Sequence, residues 1–254
     1  MRTNQSQIKG AFRYLSFGCR QAWVEESLAG MGAIPANLGP RQAMALQCYL
    51  TDAGLLEPRA NALTETGQLL SVLGPGSSII WQVIWTNWVL RSPLFSWWAT
   101  VPNGLYSREQ CLESLSRHLH GSAERSIKDA LCALVGTLRN TPVGALLGQG
   151  TVTGVGRGWT VLKTGPRAVT PWWAVYSAYL LVRGDVVLLT SDEDCRNTVA
   201  NSVGVDGRSL AAAFESLWRP DLFRISREAA GSVHITLVSG LTPERVLRAW
   251  IAET

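Results

Sequence analysis

The chain has 254 residues, of which 46% are hydrophobic, and its formal net charge is +4. This hydrophobic fraction and the eleven tryptophans exclude an intrinsically disordered chain. The mild positive charge permits nucleic-acid binding without requiring it, and the length fits one large domain or two to three small ones.

No membrane or secretion signal is evident. Residues 1–7 are polar and contain no apolar signal-peptide core. The longest apolar stretch, Ser78–Leu90, is interrupted by polar residues and is shorter than the roughly 20 residues of a membrane span. The five cysteines lie far apart without a Cys-x-x-Cys pair, so no structural metal site or disulfide framework is predicted. We therefore expect a soluble cytoplasmic protein with reduced thiols and no membrane partner.

The N-terminal part predicts helices separated by a short hairpin. Apolar spacing predicts a helix over Ile8–Ala29 and a second from Pro40 to Asp52, with proline in the first turn. Next come a short strand, a turn and a second strand over 55–64, and then a helix over Glu65–Leu73. This order is typical of a winged helix, and the alternative is a generic helix with a hairpin.

The sequence of the central part predicts a helix-turn-helix. Ser107 and Gln110 form a capping box at the start of one helix, Gly121 interrupts the chain, and Ser122 is the expected cap of the next helix. The outward face of the second helix includes Arg125 and Lys128, which could meet phosphates or base edges. The alternative is a structural helical hairpin with a solvated polar face, because acidic neighbours dilute the charge.

The C-terminal part repeats the pattern of helix and hairpin without repeating the sequence. We expect a helix over Asp206–Leu217, a hairpin from Leu222–Ser226 and Ser232–Val238, and a last helix over Glu244–Ala252. The glycine-rich segment Gly148–Gly165 lacks the Gly-Lys-Ser/Thr of a phosphate loop, so a hairpin or linker is predicted there.

The predicted fold class is mainly α with small β-hairpins (α+β), containing several winged helix-turn-helix-like units. The predicted domains are a winged unit over 1–75, a Trp-rich helical and helix-turn-helix unit over 76–147, and a helix-plus-hairpin unit over 148–254. Trp81, Trp85 and Trp88 share one helix face. Core packing is favoured for them over stacking on unpaired bases, because their neighbours are also apolar.

Signatures of an enzyme are sparse. His118 and His120 are two residues apart and would face different directions on a helix, which makes them a poor metal pair. The acidic run Asp192–Asp194 could hold Mg²⁺, but a solvated loop or helix start is the favoured interpretation. No Gly-x-Ser-x-Gly, Walker or His-Glu-x-x-His motif occurs, so no catalytic residue is assigned.

Several segments resemble the SspB-like family of DNA phosphorothioation systems, whose members are encoded beside PAPS-reductase-like proteins. The resemblance is carried by GPRQAMALQCYLTDAGLLE (39–57), LTETGQLL (63–70), 78–98 and 106–138, and less closely by 165–185 and 217–225. It implies a DNA-binding protein acting in sulfur modification of the DNA backbone, which nicks the duplex so that partner proteins can install sulfur. The implied partners are an ATPase, a PAPS-reductase-like protein and a cysteine desulfurase.

The leading hypothesis is therefore a protein that binds and nicks double-stranded DNA. The expected DNA contacts are Arg41, Gln42, Arg59, Arg117, Arg125 and Lys128, mostly to phosphates. No cofactor is identified, and a divalent metal, Mg²⁺ or Mn²⁺, is expected only for a nickase. The alternatives are a non-enzymatic winged-helix regulator or assembly adaptor and a scaffold that binds only protein, and homo-oligomerisation is compatible with each.

Overall fold

Two units divide the chain, one over Met1–Gly165 and the other over Pro166–Thr254. The computed structural model describes residues 12–58, 60, 62–156, 158–182, 186–189, 198–227 and 233–254, with β4 described by its backbone alone. The three-part division predicted from the sequence is finer than this one and stays a prediction.

Helices dominate both units. The first contains α1 (Gln21–Ala29), α2 (Pro40–Asp52), α3 (Glu65–Ser71), α4 (Ser78–Arg91), α5 (Pro93–Thr100), β1 (Gly104–Ser107), α6 (Arg108–His118), α7 (Glu124–Asn140), α8 (Pro142–Ala145), β2 (Thr151–Thr153) and β3 (Thr160–Lys163). The second contains α9 (Pro171–Leu181), β4 (Val186–Leu189), α10 (Thr198–Val203), α11 (Gly207–Leu217), β5 (Phe223–Arg227), β6 (Val233–Leu237) and α12 (Pro243–Ala252). The predicted class, mainly α with small β-hairpins, is confirmed. No helix in the described part of the chain is long and apolar enough to cross a bilayer.

Among the residues that the structure describes, each unit has one small antiparallel sheet of three strands. The strand orders are β1-β3-β2 and β4-β6-β5, so the last strand of each unit lies in the middle. In register, Leu105 pairs with Leu162 in the first sheet and Ile225 pairs with Ile235 in the second. In both units the first strand is followed by two helices and a hairpin, with the short α8 inserted in the first. The hairpin predicted within 148–165 and the C-terminal hairpin are both confirmed.

Tryptophans form the core of the first unit, as predicted. Trp81, Trp85 and Trp88 of α4 are fully buried. The ring of Trp88 stacks on Phe95 of α5 at a centroid distance of 4.7 Å. Burial of such large rings supplies most of the apolar area that stabilises a helical domain.

The predicted helix over Ile8–Ala29 is wrong in its described N-terminal half, since residues 12–16 form turns and α1 begins at Gln21. Tertiary contacts replace helical hydrogen bonds there. The backbone of Gly18 lies so close to α7 that a Cβ would stand 2.3 Å from the carbonyl carbon of Gly136. The next residue, Cys19, donates its N–H to Oγ1 of Thr137 at 2.9 Å. The docking of this segment on α7 therefore outweighs its local helical periodicity.

A buried carboxylate fixes the same segment to α2. Asp52 accepts hydrogen bonds from the hydroxyl of Tyr14 and, at 2.5 Å, from the guanidinium of Arg13. Burial raises the pKa of Asp52, and the two donors act against that rise. Tyr14 also stacks on Tyr49 at a centroid distance of 4.1 Å. These contacts explain why the chain before α1 is ordered without being helical.

A buried lysine joins β3 to the end of α5. The side chain of Lys163 is 2% exposed, and its Nζ donates to the carbonyl oxygens of Trp98, Ala99 and Val101 at 2.8, 3.1 and 2.7 Å. The last carbonyls of a helix have no partner within the helix, so the ammonium group satisfies them. Burial lowers the pKa of Lys163 to about 7.

Candidate nucleic-acid interface

The pair formed by α6 and α7 positions the face predicted to meet DNA. The predicted capping box at the start of α6 is confirmed, because Gln110 N–H donates to Oγ of Ser107 and the Gln110 side chain accepts from Ser107 N–H at 2.8 Å. The start of α7 differs from the prediction, since Ala123 and not Ser122 is its N-cap. The side of α7 that faces the core is lined by Ile127, Ala130, Leu131, Leu134, Val135 and Leu138.

The outward face of α7 is basic at both ends. Arg125, Lys128, Cys132 and Arg139 are exposed along it. Arg125 makes no hydrogen bond or ion pair with any residue that the structure describes. Lys128 forms an ion pair with Glu124, at 2.5 Å between Nζ and Oε1, and this hydrogen bond lowers the pKa of Glu124. The unpaired guanidinium of Arg125 is therefore the strongest anion-binding group on this face.

The β2–β3 turn is fixed to the C-terminal end of the same helix. Arg139 Nη2 donates to the carbonyl oxygen of Gly154 at 3.0 Å. Gly154 has a φ of 79°, and a Cβ there would lie 2.8 Å from the carbonyl oxygen of Gly158, so the turn requires glycine. Val155 at the turn is largely exposed. The helix face and the turn therefore form one surface held by a charged hydrogen bond.

Arg108 adds a positive charge near this surface that the sequence did not indicate. Arg108 is the first residue of α6, and its charge lowers the pKa of Cys132 on α7. Burial and the charge of Asp129 raise this pKa by a larger amount, so the net shift of the Cys132 pKa is upward. The two residues are 24 positions apart, and only the packing of α6 on α7 brings them together. No motif signals such a contact in advance.

The other predicted contact residues that the structure describes lie on α2 and α6, away from α7 in the sequence. Arg41 is exposed on α2, with its guanidinium 5.9 Å from the ring centroid of Phe17. Gln42 uses its Oε1 to accept the N–H of Gly39 at 3.2 Å, so part of its side chain caps α2. Arg117 on α6 is 74% exposed and lies 3.7 Å from Glu113. Arg59 lies outside the described residues. Of the six predicted residues, Arg125 and Lys128 share one helix face.

A cavity of about 420 Å³ lies between α5 and α6. Trp97, Trp98 and Cys111 form its buried part, and Gln110 and Arg117 are among its exposed lining residues. Burial raises the pKa of Cys111 to about 11, so its thiol is a poor nucleophile. Among the residues that the structure describes, no three His, Cys, Asp or Glu side chains are grouped to hold a metal ion. The acidic run Asp192–Asp194 lies outside them.

The two units differ in charge. Residues 1–165 contain fourteen Lys and Arg against nine Asp and Glu, a net charge of +5. Residues 166–254 contain nine against ten, a net charge of −1. The unit that contains α7 therefore carries the positive charge of the whole chain, which favours it as the partner of a polyanion.

Solved structures with the same architecture exist at low sequence identity. The magnesium-ion-bound SspB crystal structure superposes with a TM-score of 0.67 at 14% identity, covering 95% of this chain and 86% of that chain. The SspB crystal structure gives a TM-score of 0.69 at 15% identity, with the same coverage. The chain has the SspB fold. No family model matches the sequence, and no curated protein matches it. The likeness to SspB covers both units, which confirms the resemblance inferred from the sequence at the level of the fold.

Proposed function

We propose that this chain binds double-stranded DNA through the outward face of α7 and the β2–β3 turn. The single observation that carries the proposal is the unpaired Arg125 beside Lys128 on an exposed helix face, in the unit of net charge +5. The order β1–α6–α7–α8–β2–β3, in which only the short α8 separates the second helix from the hairpin, supports a winged helix-turn-helix, in which the second helix enters the major groove and the hairpin lies beside it.

Cys132 allows a direct test, because its thiol is exposed in the middle of this face while Cys19 and Cys111 are buried. We expect duplex DNA to slow alkylation of Cys132 by iodoacetamide several-fold, because a bound duplex excludes the reagent from the face of α7. Mass spectrometry of the labelled peptide measures the rate at that position. A Cys132→Ser variant supplies the background from the other thiols. An unchanged alkylation rate at a DNA concentration that saturates binding would place the duplex elsewhere on the protein.

The fold also supports a role in DNA phosphorothioation, in which this protein nicks the duplex for a modification complex. The partners would be an ATPase, a PAPS-reductase-like protein and a cysteine desulfurase. Nicking is favoured by the magnesium-ion-bound SspB structure, since Mg²⁺ stabilises the charge that develops when a phosphodiester bond is cleaved. No residue of this chain is assigned to hold the ion.

Relaxation of a supercoiled plasmid separates a nickase from a DNA-binding regulator or adaptor. We expect open circles to form with Mg²⁺ or Mn²⁺ and not with EDTA, because the proposed nickase uses a divalent ion to stabilise the charge that develops during in-line attack at a phosphate. Binding of the plasmid without open circles in any metal would instead favour the regulator or adaptor. A protein that fails to bind the plasmid even at low salt would be the protein-binding scaffold.

A further inference from the structure

Arginines are concentrated around α2. Residues 12–20, α2 and α4 together contain four arginines and a single acidic residue, Asp52, which gives these three elements a net charge of +3. The helix α7 contains three basic and two acidic residues, a net charge of +1. Asp52 is 3% exposed, so its carboxylate is covered by the fold. The surroundings of α2 are therefore more positive than the helix proposed to contact DNA.

One side of α2 is open and free of exposed carboxylates. Arg41, Met44, Cys48 and Thr51 follow one another at intervals of three or four residues, so they lie along the same side of the helix. Met44 is 54% exposed, and Cys48 is half-buried. Arg41 is exposed and makes no hydrogen bond or ion pair with any residue that the structure describes. Its guanidinium is therefore available to an external anion.

Two further arginines lie at the C-terminal end of this side. Arg13 donates from Nη1 to Asp52 at 2.5 Å, and its side chain remains 37% exposed. Arg91 is exposed and donates from Nη1 to the carbonyl oxygen of Thr51 at 3.5 Å. Burial raises the pKa of Asp52, and the charges of both arginines oppose this rise, so both lie near the same carboxylate. A guanidinium has five N–H donors, and one bond leaves the others able to bind an anion.

The backbone after α2 keeps the guanidinium of Arg91 in place. A Cβ at Gly54 would lie 2.8 Å from Nη1 of Arg91 and 3.0 Å from Oδ1 of Asn87. Gly54 also has a φ of 71°, which favours glycine on its own account. The guanidinium therefore rests against the chain at the end of α2 without an acidic partner among the described residues.

The segment that contains Arg13 also joins α2 to α7. The carbonyl oxygen of Phe17 accepts the hydroxyl of Tyr49 on α2 at 2.9 Å. The N–H of Cys19 is donated to Oγ1 of Thr137 on α7, also at 2.9 Å. Oγ1 of Thr137 and the hydroxyl of Tyr49 lie 3.1 Å apart in a hydrogen bond, which closes the network. The basic side of α2 is thus adjacent to α7 through this segment.

We propose that these residues (Arg13, Arg41, Met44, Cys48 and Arg91, here called the arginine strip) bind phosphates of the duplex outside the part that α7 contacts. The inference rests on the proposed function and extends its footprint. Ten residues separate the two ends of the strip on α2, about 15 Å at a rise of about 1.5 Å per residue. One DNA strand presents about four phosphates over that length. Guanidinium groups bind phosphates bidentately, and such contacts add affinity without reading sequence.

Substitutions of Met44 in both directions test the strip by fluorescence anisotropy of a labelled duplex. Met44→Arg should raise affinity several-fold and steepen the slope of log affinity against log salt by about 0.9, because one more phosphate is neutralised. Met44→Glu should lower affinity and make the slope shallower. Met44 is largely exposed, so both variants should keep the thermal stability of wild type. Ala212→Arg adds the same charge on an exposed position of α11 in the second unit, and it should leave the slope unchanged.

Replacing the arginines separates phosphate binding from a structural role. Arg41→Gln combined with Arg91→Gln should make the slope shallower by about 1.8, as expected for two lost phosphate contacts. Arg41→Lys combined with Arg91→Lys should restore most of the slope, since lysine also neutralises a phosphate. A slope that stays at the wild-type value in the glutamine variant would overturn the inference. Met44 variants that change binding of polyglutamate but not of the duplex would instead assign the strip to an acidic protein.

Alkylation by iodoacetamide distinguishes this inference from the proposed function, because Cys48 lies in the strip and Cys132 on the face of α7. We expect saturating duplex to slow alkylation several-fold at both positions, each compared with its own rate without DNA. Protection of Cys132 alone, with a slope that neither Met44 variant alters, would overturn the inference and leave DNA binding by α7 intact. Protection of neither cysteine would contradict both proposals.

Discussion

Replacing Arg125 and Lys128 together with alanine should lower duplex affinity roughly tenfold or more at physiological salt, because each phosphate contact releases condensed counterions. The slope of log affinity against log salt should become shallower by about 0.9 for each phosphate that the variant no longer neutralises. Arg125 should account for most of the loss of affinity, since the charge of Lys128 is already partly neutralised by its ion pair with Glu124. Fluorescence anisotropy of a labelled duplex at several salt concentrations measures both quantities.

Two variants make this result specific to the face of α7. Glu124→Gln removes the partner of Lys128 and should raise affinity modestly, the opposite of a general loss of folding. Arg245→Ala removes an exposed arginine from α12 in the unit of net charge −1, and it should leave the slope unchanged. An unaltered slope in the double variant, or an equal change with Arg245→Ala, would contradict the assignment of α7 as the DNA-binding helix.

Replacing Lys163 with methionine should destabilise the first unit by about 3 kcal/mol, because three buried carbonyl oxygens at the end of α5 lose their donor. Methionine keeps the apolar length of the side chain, so the loss is one of hydrogen bonds and not of volume. Urea unfolding followed by tryptophan fluorescence measures the shift in midpoint. Leu162→Met, at an exposed neighbouring position of β3, is the matched control. Equal midpoints for Lys163→Met and wild type would contradict this structural role.

The stability difference between wild type and Lys163→Met should depend on pH. Burial lowers the pKa of Lys163 to about 7, against an ordinary value of 10.5. Between these values the unfolded chain binds more protons than the folded one, so stability increases with pH. The advantage of wild type over the variant should therefore be smallest below pH 7, where the ammonium group bonds three carbonyl oxygens but carries the cost of burial. It should grow as the pH rises toward 10, although the neutral amine then donates at most two hydrogen bonds. A difference that is constant over this range would show that the folded-state pKa of Lys163 is not lowered.

Local signals predicted the helix boundaries well where capping decides them. Ser107 is the N-cap of α6 and Thr242 is the N-cap of α12, as expected, and Pro40 is the first residue of α2. These features depend on hydrogen bonds and backbone angles within a few residues, which a sequence displays directly. The burial of Trp81 was equally predictable, because Ile80, Val83 and Ile84 beside it on α4 are apolar.

Contacts between distant segments could not be predicted. The chain around Gly18 is periodic enough to suggest a helix, and its departure from that pattern depends on Gly136, more than a hundred residues away. Nothing in the sequence around Lys163 distinguishes it from an exposed lysine on a strand. The carbonyl oxygens that accept its hydrogen bonds lie more than sixty residues earlier in the chain, at the end of α5. For the candidate interface, the sequence identified Arg125 and Lys128 but not the proximity of Arg108 to Cys132.

The docking of residues 12–20 on the back of α7 has a consequence for the kinetics of recognition. Because Gly18 rests on Gly136 and Cys19 bonds to Thr137, the helix is held from behind before any ligand arrives. Arg139 holds the β2–β3 turn at the other side in the same way. A preorganised surface loses little conformational entropy on association, so productive encounters need not wait for a rearrangement. The association rate should then be limited by diffusion and electrostatic steering.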